Sequence, residues 1–579
     1  TYLCRKLIMV NPSDNRYHST SGIGLCCMLC SIALFVISHR FVNAELTPKW
    51  MGVMLTIGIM GILWSVRHHR ILLPIRQMDT TPIFGTIVVF VLALSVQGFL
   101  QYAGIISSAN RSFTVTGNFD NPSGFASAIA CATPLCFLFF THHTKYIRYA
   151  AIASATMMAI AVILSGSRAG MLAIVAATIV WLFAKSKMAK QKINIALVVA
   201  LVVLPIILYF SKKDSADGRL LIWRCTLDMI ADKPVFGHGQ GAFKAKYMLY
   251  QAAYFKAHPD SQYATLADNV LHPFNEYLLI LAGYGVVGLA VAILLVCILL
   301  RAYRRNPGDE KLVALMSLLA LSVHSFFSYP FRYPFTWGLL FLNAVVICNP
   351  CRIVALRVLN KKIMIVRAIV FMLFAGLTTY TVILTQAHIR WNSIARLSLM
   401  GQTRKVLPEY ERLYRWLGKD GLFLYNHAAE LHEAKEYEKS IAVFEQCTCY
   451  YNDMDVQMLL ANNYKQLGRY TDAEQHLKTA AAMCPVRFMP LYELAKLYDA
   501  TGRRGEALAM AKAIVDKYVK IPSPTVTTIK NEMREWLKAK ESVTDDPVND
   551  NRASDHPLNN ETRQGEAPEV QPRGAALPP

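Results

Sequence analysis

Residues 274–300 read FNEYLLILAGYGVVGLAVAILLVCILL, with one acidic side chain, Glu276, and no basic one. A helix of this length covers the roughly 30 Å of hydrocarbon in a bilayer, because each residue adds about 1.5 Å of rise. Lipid offers the peptide groups no hydrogen-bond partner, so such a stretch is expected to cross a membrane as a helix. The stretch therefore predicts an all-α membrane protein.

Ten further apolar stretches extend this interpretation to a polytopic transmembrane helical bundle of about eleven spans. They centre on 22–38, 50–66, 83–100, 123–140, 147–164, 169–184, 193–210, 312–328, 335–349 and 364–384. The composition agrees, since 54% of the 579 residues are hydrophobic and only 17% are charged. These proportions exclude an ordinary soluble enzyme.

Basic residues cluster in alternate loops between these stretches, at 67–76, 145–148, 185–192, 301–311 and 352–367. The positive-inside rule places such loops in the cytoplasm. The N-terminus then also lies inside, and a long loop at residues 211–272 lies outside. The net charge of +21 is explained by these clusters, and we expect no nucleic-acid partner. We predict a bacterial inner-membrane protein whose long loop is periplasmic.

Beyond Arg396 a self-similarity of 34 residues appears. Five residues, Leu460, Ala461, Tyr464, Gly468 and Ala473, recur as Leu494, Ala495, Tyr498, Gly502 and Ala507. About three such units can stack into a stable helical solenoid. The pattern resembles the tetratricopeptide repeat, which implies a protein or peptide partner; a plain helical bundle is the alternative.

The chain is thus divided into three parts. Residues 1–390 form the membrane domain with the long loop at 211–272, and residues 395–540 form the repeat domain, which is predicted to be extracytoplasmic. Residues 541–579 are rich in Pro, Asn, Asp, Glu and Gly and nearly free of aromatic residues. Such a composition cannot bury enough apolar surface to fold, so it predicts a disordered tail.

Four motifs lie in order between residues 80 and 300, all on the predicted outer face. Residues 116–126 include Asn121 and Pro122, and residues 165–170 read SGSRAG. The long loop adds two motifs, Arg219-x-x-x-Trp223 and Pro234-x-x-Gly237-x-Gly239, and His272, Asn275 and Leu278 lie at the start of the next helix.

In this order the motifs resemble the O-antigen ligase and O-antigen polymerase superfamily of membrane glycosyltransferases. The resemblance implies an enzyme that transfers a glycan from an undecaprenyl-pyrophosphate carrier to a hydroxyl group. Three acceptors remain open: the lipid A core, a protein Ser or Thr, and the growing end of another glycan, as in a polymerase. One position departs from the family pattern, because Phe274 precedes Asn275 where relatives often have His.

The leaving pyrophosphate gains negative charge as the glycosidic bond breaks, and without a metal ion this charge requires fixed cations. Arginine suits this role because its planar guanidinium donates paired hydrogen bonds to phosphate. We therefore expect Arg219 to be catalytic and Arg168, Arg224 and Arg332 to bind substrate. The alternative for each is an interfacial anchor. No Asp-x-Asp pair stands in a suitable position, so we predict a metal-independent reaction without a cofactor.

His272 is the predicted acceptor base, because an imidazole titrates near neutral pH. His238 is the second candidate, with a structural role as its alternative. Asn275 and Glu276 are predicted to bind substrate, although both could instead cap the next helix.

Two other functional classes compete with a glycosyltransferase. A transporter for lipid-linked sugars would need charged or aromatic residues deep within several spans, whereas the candidates here cluster at one face. A membrane-anchored scaffold acting only through its repeats leaves the motifs of the long loop unexplained.

Overall fold

The computed structural model describes residues 12–67, 80–185, 213–348 and 360–542. These residues form twenty α-helices and three short 3-10 helices, without a strand. The first twelve are α1 (Pro12–Phe35), α2 (Thr47–Arg67), α3 (Thr81–Tyr102), α4 (Pro122–Ala132), α5 (Lys145–Leu164), α6 (Arg168–Lys185), α7 (Lys213–Asp232), α8 (Ala242–Ala257), α9 (Glu276–Arg305), α10 (Asp309–Phe327), α11 (Pro334–Cys348) and α12 (Asn360–Ser398).

The helices that follow α12 are shorter. They are α13 (Thr403–Leu417), α14 (Gly421–Glu433), α15 (Tyr437–Thr448), α16 (Met454–Gln466), α17 (Tyr470–Met483), α18 (Met489–Ala500), α19 (Arg504–Asp516) and α20 (Pro524–Ser542). The 3-10 helices are Thr133–Thr141, Gln262–Thr265 and Pro330–Arg332.

Within the described residues, eight helical segments are long and apolar enough to cross a membrane. They are α2, α3, α4 with its 3-10 extension, α5, α6, α9, α10 and most of α12. Shorter apolar helices occur at Ile23–Phe35 in α1 and at α11. These ten segments coincide with ten of the predicted stretches, so the chain is a multi-pass membrane protein. The stretch at 193–210 lies outside the described residues, and the number of spans stays a prediction.

The segment predicted as one span at 123–140 is an α-helix that continues as a 3-10 helix. α4 ends at Ala132, and Pro134 follows within the 3-10 segment. Proline has no backbone N–H, so the α-helical hydrogen-bond ladder cannot continue through it. This broken helix lies at the centre of the bundle, where Phe125 and Ile129 are fully buried. Its N-cap residue, Asn121, is therefore buried as well.

α12 connects the membrane domain to the repeats as one continuous helix of 39 residues, about 58 Å long. Its first half packs against α2, where a Cβ at Gly58 or Gly61 would lie 2.3 Å from Thr378 or Phe374. Small residues permit such close helix packing within a membrane. Its last turns bury Trp391 in the core of the repeat domain. The helix thus runs through the predicted domain boundary at 390–395.

The C-terminal helices pack in sequence, with α14–α15, α16–α17 and α18–α19 as three successive pairs. Left-handed backbone recurs in the turn within each pair, at Lys435 (φ 64°), Gly468 (φ 72°) and Gly502 (φ 73°). The same turn geometry therefore repeats at the period found in the sequence. Assignment of these pairs as tetratricopeptide repeats stays a prediction.

The long loop is largely helical and docks onto the repeat domain. α8 packs against α17, and Tyr247 and Met483 are fully buried in the shared apolar core. Gln251 Nε2 donates to the carbonyl of Met483 at 2.6 Å, and Asn452 N donates to the carbonyl of Lys244 at 3.0 Å. The repeat domain consequently covers the loop.

The Pro-x-x-Gly-x-Gly turn enters a break in α9. Gly285 interrupts this helix with φ 61° and ψ −162°. Val286 N then donates to the carbonyl of Pro234 at 2.8 Å, and His238 N donates to that of Ala282 at 2.8 Å. The turn thus supplies hydrogen-bond partners to peptide groups at the helix break.

Gly237 explains why this motif requires glycine. Its φ is 69°, and a Cβ added there would lie 2.4 Å from the carbonyl carbon of Gly283. Only the absence of a side chain allows the two backbones to approach so closely. Gly237 therefore serves the shape of the turn.

Candidate functional site

Two arginines converge where α6 begins beside the loop helix α7. Arg168 is the first residue of α6, and its Nη2 donates to Ser215 Oγ at 3.0 Å. Ser215 lies one helical turn before Arg219 on α7, so both guanidinium groups occupy the same side of that helix. Burial, followed by the positive charge of Arg168, lowers the pKa of Arg219 to about 10. Arg219 therefore stays charged near neutral pH.

The partners of Arg219 leave its charge uncompensated. Its Nη1 donates to the carbonyl of Phe327 at 2.9 Å, and its guanidinium lies 5.0 Å from the ring centre of Phe274. Among the described residues it has no carboxylate partner. A cleft of about 300 Å³ opens beside it, lined by Asp214, Ser215, Gly218, Arg219, Ile222, Leu266, Phe274 and Lys520. A charged donor therefore faces space large enough for a ligand.

Phe274, which precedes the N-cap Asn275 of α9, has left-handed backbone with φ 52°. This conformation is uncommon for a residue with a side chain. Trp223 Nε1 holds the preceding residue by donating to the carbonyl of Pro273 at 2.9 Å. The tryptophan of the Arg-x-x-x-Trp motif thus positions the start of α9.

The ring of Tyr329 contacts both neighbours of Pro273, namely His272 and Phe274. It stacks on His272 with 4.7 Å between centres and meets Phe274 edge-on at 5.3 Å. Burial raises the pKa of Tyr329 to about 12, so its hydroxyl stays protonated. Residues 272 and 274 therefore contact the same ring from neighbouring positions.

His272 also faces a cation. Its Nε2 lies 3.4 Å from Nη1 of Arg332. Burial, then the charges of Arg332 and Lys244, hold the pKa of His272 well below its usual range. The imidazole is therefore neutral near pH 7, as a proton acceptor must be, but these positive neighbours also weaken it as a base.

A carboxylate from the segment at 116–126 completes this cluster. Arg332 Nη2 lies 3.0 Å from Asp120 Oδ2, and the hydroxyl of Tyr333 donates to Asp120 Oδ1 at 2.7 Å. Burial lowers the pKa of Arg332, but the charge of Asp120, together with those of Tyr333, Tyr329 and Glu45, outweighs it, so that pKa is raised overall. Arg332 is thereby paired within the protein, unlike Arg219.

Asn121 links the cluster to the centre of the bundle. Its Oδ1 caps α4 by accepting from the backbone N–H groups of Ser123 and Gly124 at 2.8 and 3.0 Å. Its Nδ2 donates to the hydroxyls of Tyr329 and Tyr333 at 2.8 and 3.1 Å. One asparagine therefore fixes both a helix end and the two tyrosines, as a satisfied N-cap can.

The remaining predicted residues lie in structural contacts. Asn275 caps α9 by accepting from Tyr277 N and Leu278 N at 3.0 and 3.1 Å. The buried carboxylate of Glu276 accepts from Phe331 N at 3.2 Å. The contacts of Asn275 are the helix cap that the sequence left open as its alternative, whereas Glu276 accepts from a backbone N–H of another segment, the 3-10 helix Pro330–Arg332. Substrate binding by either residue stays a prediction.

Arg224 and His238 contact residues other than the arginine pair. Arg224 is exposed, with its guanidinium 5.2 Å from the ring centre of Tyr254. His238 Nε2 donates to the carbonyl of Met229 at 2.8 Å. The contacts of His238 match its structural alternative.

Several polar residues at this site, including Asp120, Tyr329 and His324, were not predicted from the sequence. His324 is fully buried in α10 with its Nε2 3.5 Å from Ser123 Oγ. A histidine within an apolar span is rare and marks a functional candidate, so that signal was present. Asp120 carried a weaker signal, its place in the motif segment at 116–126.

Residues 153–293 match the family model described as O-Antigen ligase. The match supports similarity of this part of the chain to the O-antigen ligase family. The matched region contains Arg168, Arg219 and His272, whereas Asp120 and Arg332 lie outside it. Similarity to this family suggests a membrane protein that transfers glycan from a lipid-linked donor to an acceptor. No curated protein matches the chain at a significant level of sequence similarity.

Proposed function

We propose that the protein transfers a glycan from an undecaprenyl-pyrophosphate carrier to an acceptor hydroxyl on the periplasmic side of a bacterial inner membrane. The observation that carries this proposal is the convergence of Arg168 and Arg219 on one side of α7. Two like charges in a partly desolvated place repel each other, and an anion between them would relieve that repulsion. A pyrophosphate at the membrane surface is the anion that the O-antigen ligase match suggests.

In the proposed reaction the acceptor oxygen attacks the anomeric carbon of the glycan. The bond from that carbon to the pyrophosphate oxygen breaks, and undecaprenyl pyrophosphate leaves with the electron pair. Arg219 would donate paired hydrogen bonds to the phosphate oxygens as their charge grows, with Arg168 as its partner. Because these cations are fixed in the protein, we propose that the reaction needs no metal ion.

The proton of the acceptor hydroxyl has to be removed during the attack, and His272 is the proposed base. Its lowered pKa keeps the ring in the neutral form that can accept a proton. Stacking on Tyr329 fixes the plane of the ring, and the Asp120–Arg332 pair fixes the cation opposite Nε2. We assign Arg332 to positioning His272, since its own charge is already paired.

The acceptor remains the open part of the proposal. The lipid A core, a protein Ser or Thr, and the end of a growing glycan all offer a hydroxyl group. Because the repeat domain packs onto the long loop, we favour a protein acceptor or a protein assembly partner. The polymerase reaction uses the same donor chemistry and is the alternative.

Deletion of the gene tests the proposal and identifies the acceptor class. We expect lipopolysaccharide, glycoproteins or a surface polymer to lose its glycan, while the lipid-linked donor accumulates on the outer side of the membrane. Donor accumulation on the cytoplasmic side would instead indicate a transporter. An unchanged glycan profile with loss of a protein complex would indicate a scaffold.

A further inference from the structure

Lys520, a residue of the repeat domain, lies at the cleft beside Arg219. It belongs to the connection between α19 and α20 and lines this cleft together with Arg219, Ser215 and Phe274. Its Nζ donates to the carbonyl of Thr265 in the long loop at 2.8 Å. An ammonium group has three N–H donors, so two remain for a ligand.

The connection that carries Lys520 is anchored on both sides. Lys517 Nζ donates to the carbonyl of Arg487 at 2.9 Å, and Lys530 Nζ donates to the carbonyl of Lys517 at 2.8 Å. Arg487 Nη2 in turn lies 2.8 Å from both carboxylate oxygens of Asp268 in the long loop. These contacts, together with the buried α8–α17 interface, fix the position of residue 520 relative to α7.

The charges of the cleft favour an anion. Arg219 and Lys520 line it with only one carboxylate, that of Asp214, and Arg168 lies next to Ser215 at its edge. Residues 219 and 520 are distant in sequence, yet the fold brings both cations to one cavity. Such an arrangement is unfavourable without a counterion and becomes favourable when phosphate oxygens lie between the cations.

We propose that Lys520 is a third cation for the pyrophosphate of the lipid donor, supplied by the repeat domain. This inference rests on the proposed function, because it takes the ligand to be that pyrophosphate. A lipid diphosphate presents two phosphate groups, so one can contact Arg219 and Arg168 while the other contacts Lys520. Donor binding then depends on the repeat domain, and a monophosphate lipid cannot use all three cations.

The test measures binding of undecaprenyl pyrophosphate and undecaprenyl phosphate to the full-length protein in nanodiscs. Loss of one charge-assisted hydrogen bond should make Lys520→Ala bind the diphosphate about 10-fold more weakly. Its binding of the monophosphate should change less, and Lys520→Arg should restore diphosphate affinity. Lys538→Ala is the matched control, since it removes an exposed lysine of the same domain that pairs with Glu535; it should bind like wild type.

Other outcomes overturn the inference in distinguishable ways. Wild-type affinity in Lys520→Ala, combined with weak binding in Arg219→Ala, would remove Lys520 from the site and leave the proposed function intact. If Arg219→Ala also binds like wild type, the proposed donor site is wrong and the inference falls with it. A lower melting temperature with equal loss of both lipids, unrestored by Lys520→Arg, would make Lys520 a structural contact to Thr265.

Discussion

Gly285 is the residue on which docking of the long loop into α9 depends. Its combination of φ 61° and ψ −162° is essentially restricted to glycine. A Cβ there would lie 2.2 Å from the carbonyl oxygen of Val235 and 2.6 Å from that of Pro234. Both oxygens belong to the main chain, so no side-chain rotation can relieve the contact. We predict that Gly285→Ala expels the turn from the helix break.

The cost follows from the contacts that would be lost. The backbone conformation contributes about 1–3 kcal/mol of strain with a side chain present. Val286 N and Val287 N donate to Pro234 O and Val235 O at 2.8 and 3.2 Å, and each bond is worth about 0.5–1.5 kcal/mol. The sum is about 2–6 kcal/mol, a large share of the roughly 5–15 kcal/mol that stabilises a typical domain.

Gly283→Ala provides a matched control two residues away in the same helix. A Cβ at Gly283 has its nearest contact at 3.5 Å, to the carbonyl oxygen of Gly239, which is ordinary van der Waals distance. Purified protein in nanodiscs would be followed by thermal unfolding and by trypsin cleavage at Lys233 and Lys244 in the loop. Gly285→Ala should be cleaved more than 10-fold faster than wild type. A loss of about 1.4 kcal/mol in the free energy of loop docking already makes the open loop about 10-fold more populated. Equal cleavage rates and melting temperatures in both variants would refute this account of the loop.

The remaining predictions concern chemistry and topology. Arg219→Ala should lose about 100 to 1,000-fold in transfer rate, and Arg219→Lys should be less impaired, because lysine keeps the charge but not the paired hydrogen bonds; equal rates for wild type and both variants would exclude the pyrophosphate contact. His272→Ala should lose about 100 to 10,000-fold yet still bind donor, and adding Phe274→His should recover part of the rate, since both positions contact Tyr329; near-normal transfer by well-inserted His272→Ala would make the histidine structural. Glycan transfer should continue in excess chelator; loss of transfer with chelator that added magnesium or manganese restores would show a metal requirement. A reporter active only outside the cytoplasm should work when fused after residues 240 and 460 and stay silent after 188 and 306; a cytoplasmic signal at 460 would invert the topology.

Most of the membrane architecture was predictable, because a helix that crosses the lipid needs about 20 mostly apolar residues in a row. Each predicted span among the described residues coincides with a helix, since a run such as 274–300 has no other way to satisfy its peptide groups. The broken span at Pro134 shows the limit of this reasoning. Its apolar character predicts the membrane, whereas the change from α to 3-10 geometry depends on a single missing N–H group.

Several residues of the site could be predicted from the sequence, but few of the contacts between them could. The motifs predicted that Arg168 and Arg219 share one face, but the Ser215 contact that joins them depends on how α7 lies against α6. His272 and Arg332 were each predicted alone, and their contact spans 60 residues. The hydrogen bond between Gln251 and Met483 joins residues 232 positions apart in the sequence, and no local sequence pattern predicts it. Tertiary packing therefore decides which candidates meet.

In the proposed reaction the protein breaks the bond between a glycan and its lipid pyrophosphate. The most direct measurement incubates purified protein in nanodiscs with labelled lipid-linked glycan and an acceptor fraction from cells that lack the gene. Released undecaprenyl pyrophosphate and labelled acceptor would then be quantified together for wild type and Arg219→Ala. We expect equal amounts of both products from wild type and about 100 to 1,000-fold less from the variant. Recovery of the lipid-linked glycan intact, with no undecaprenyl pyrophosphate released by well-folded wild type, would contradict it.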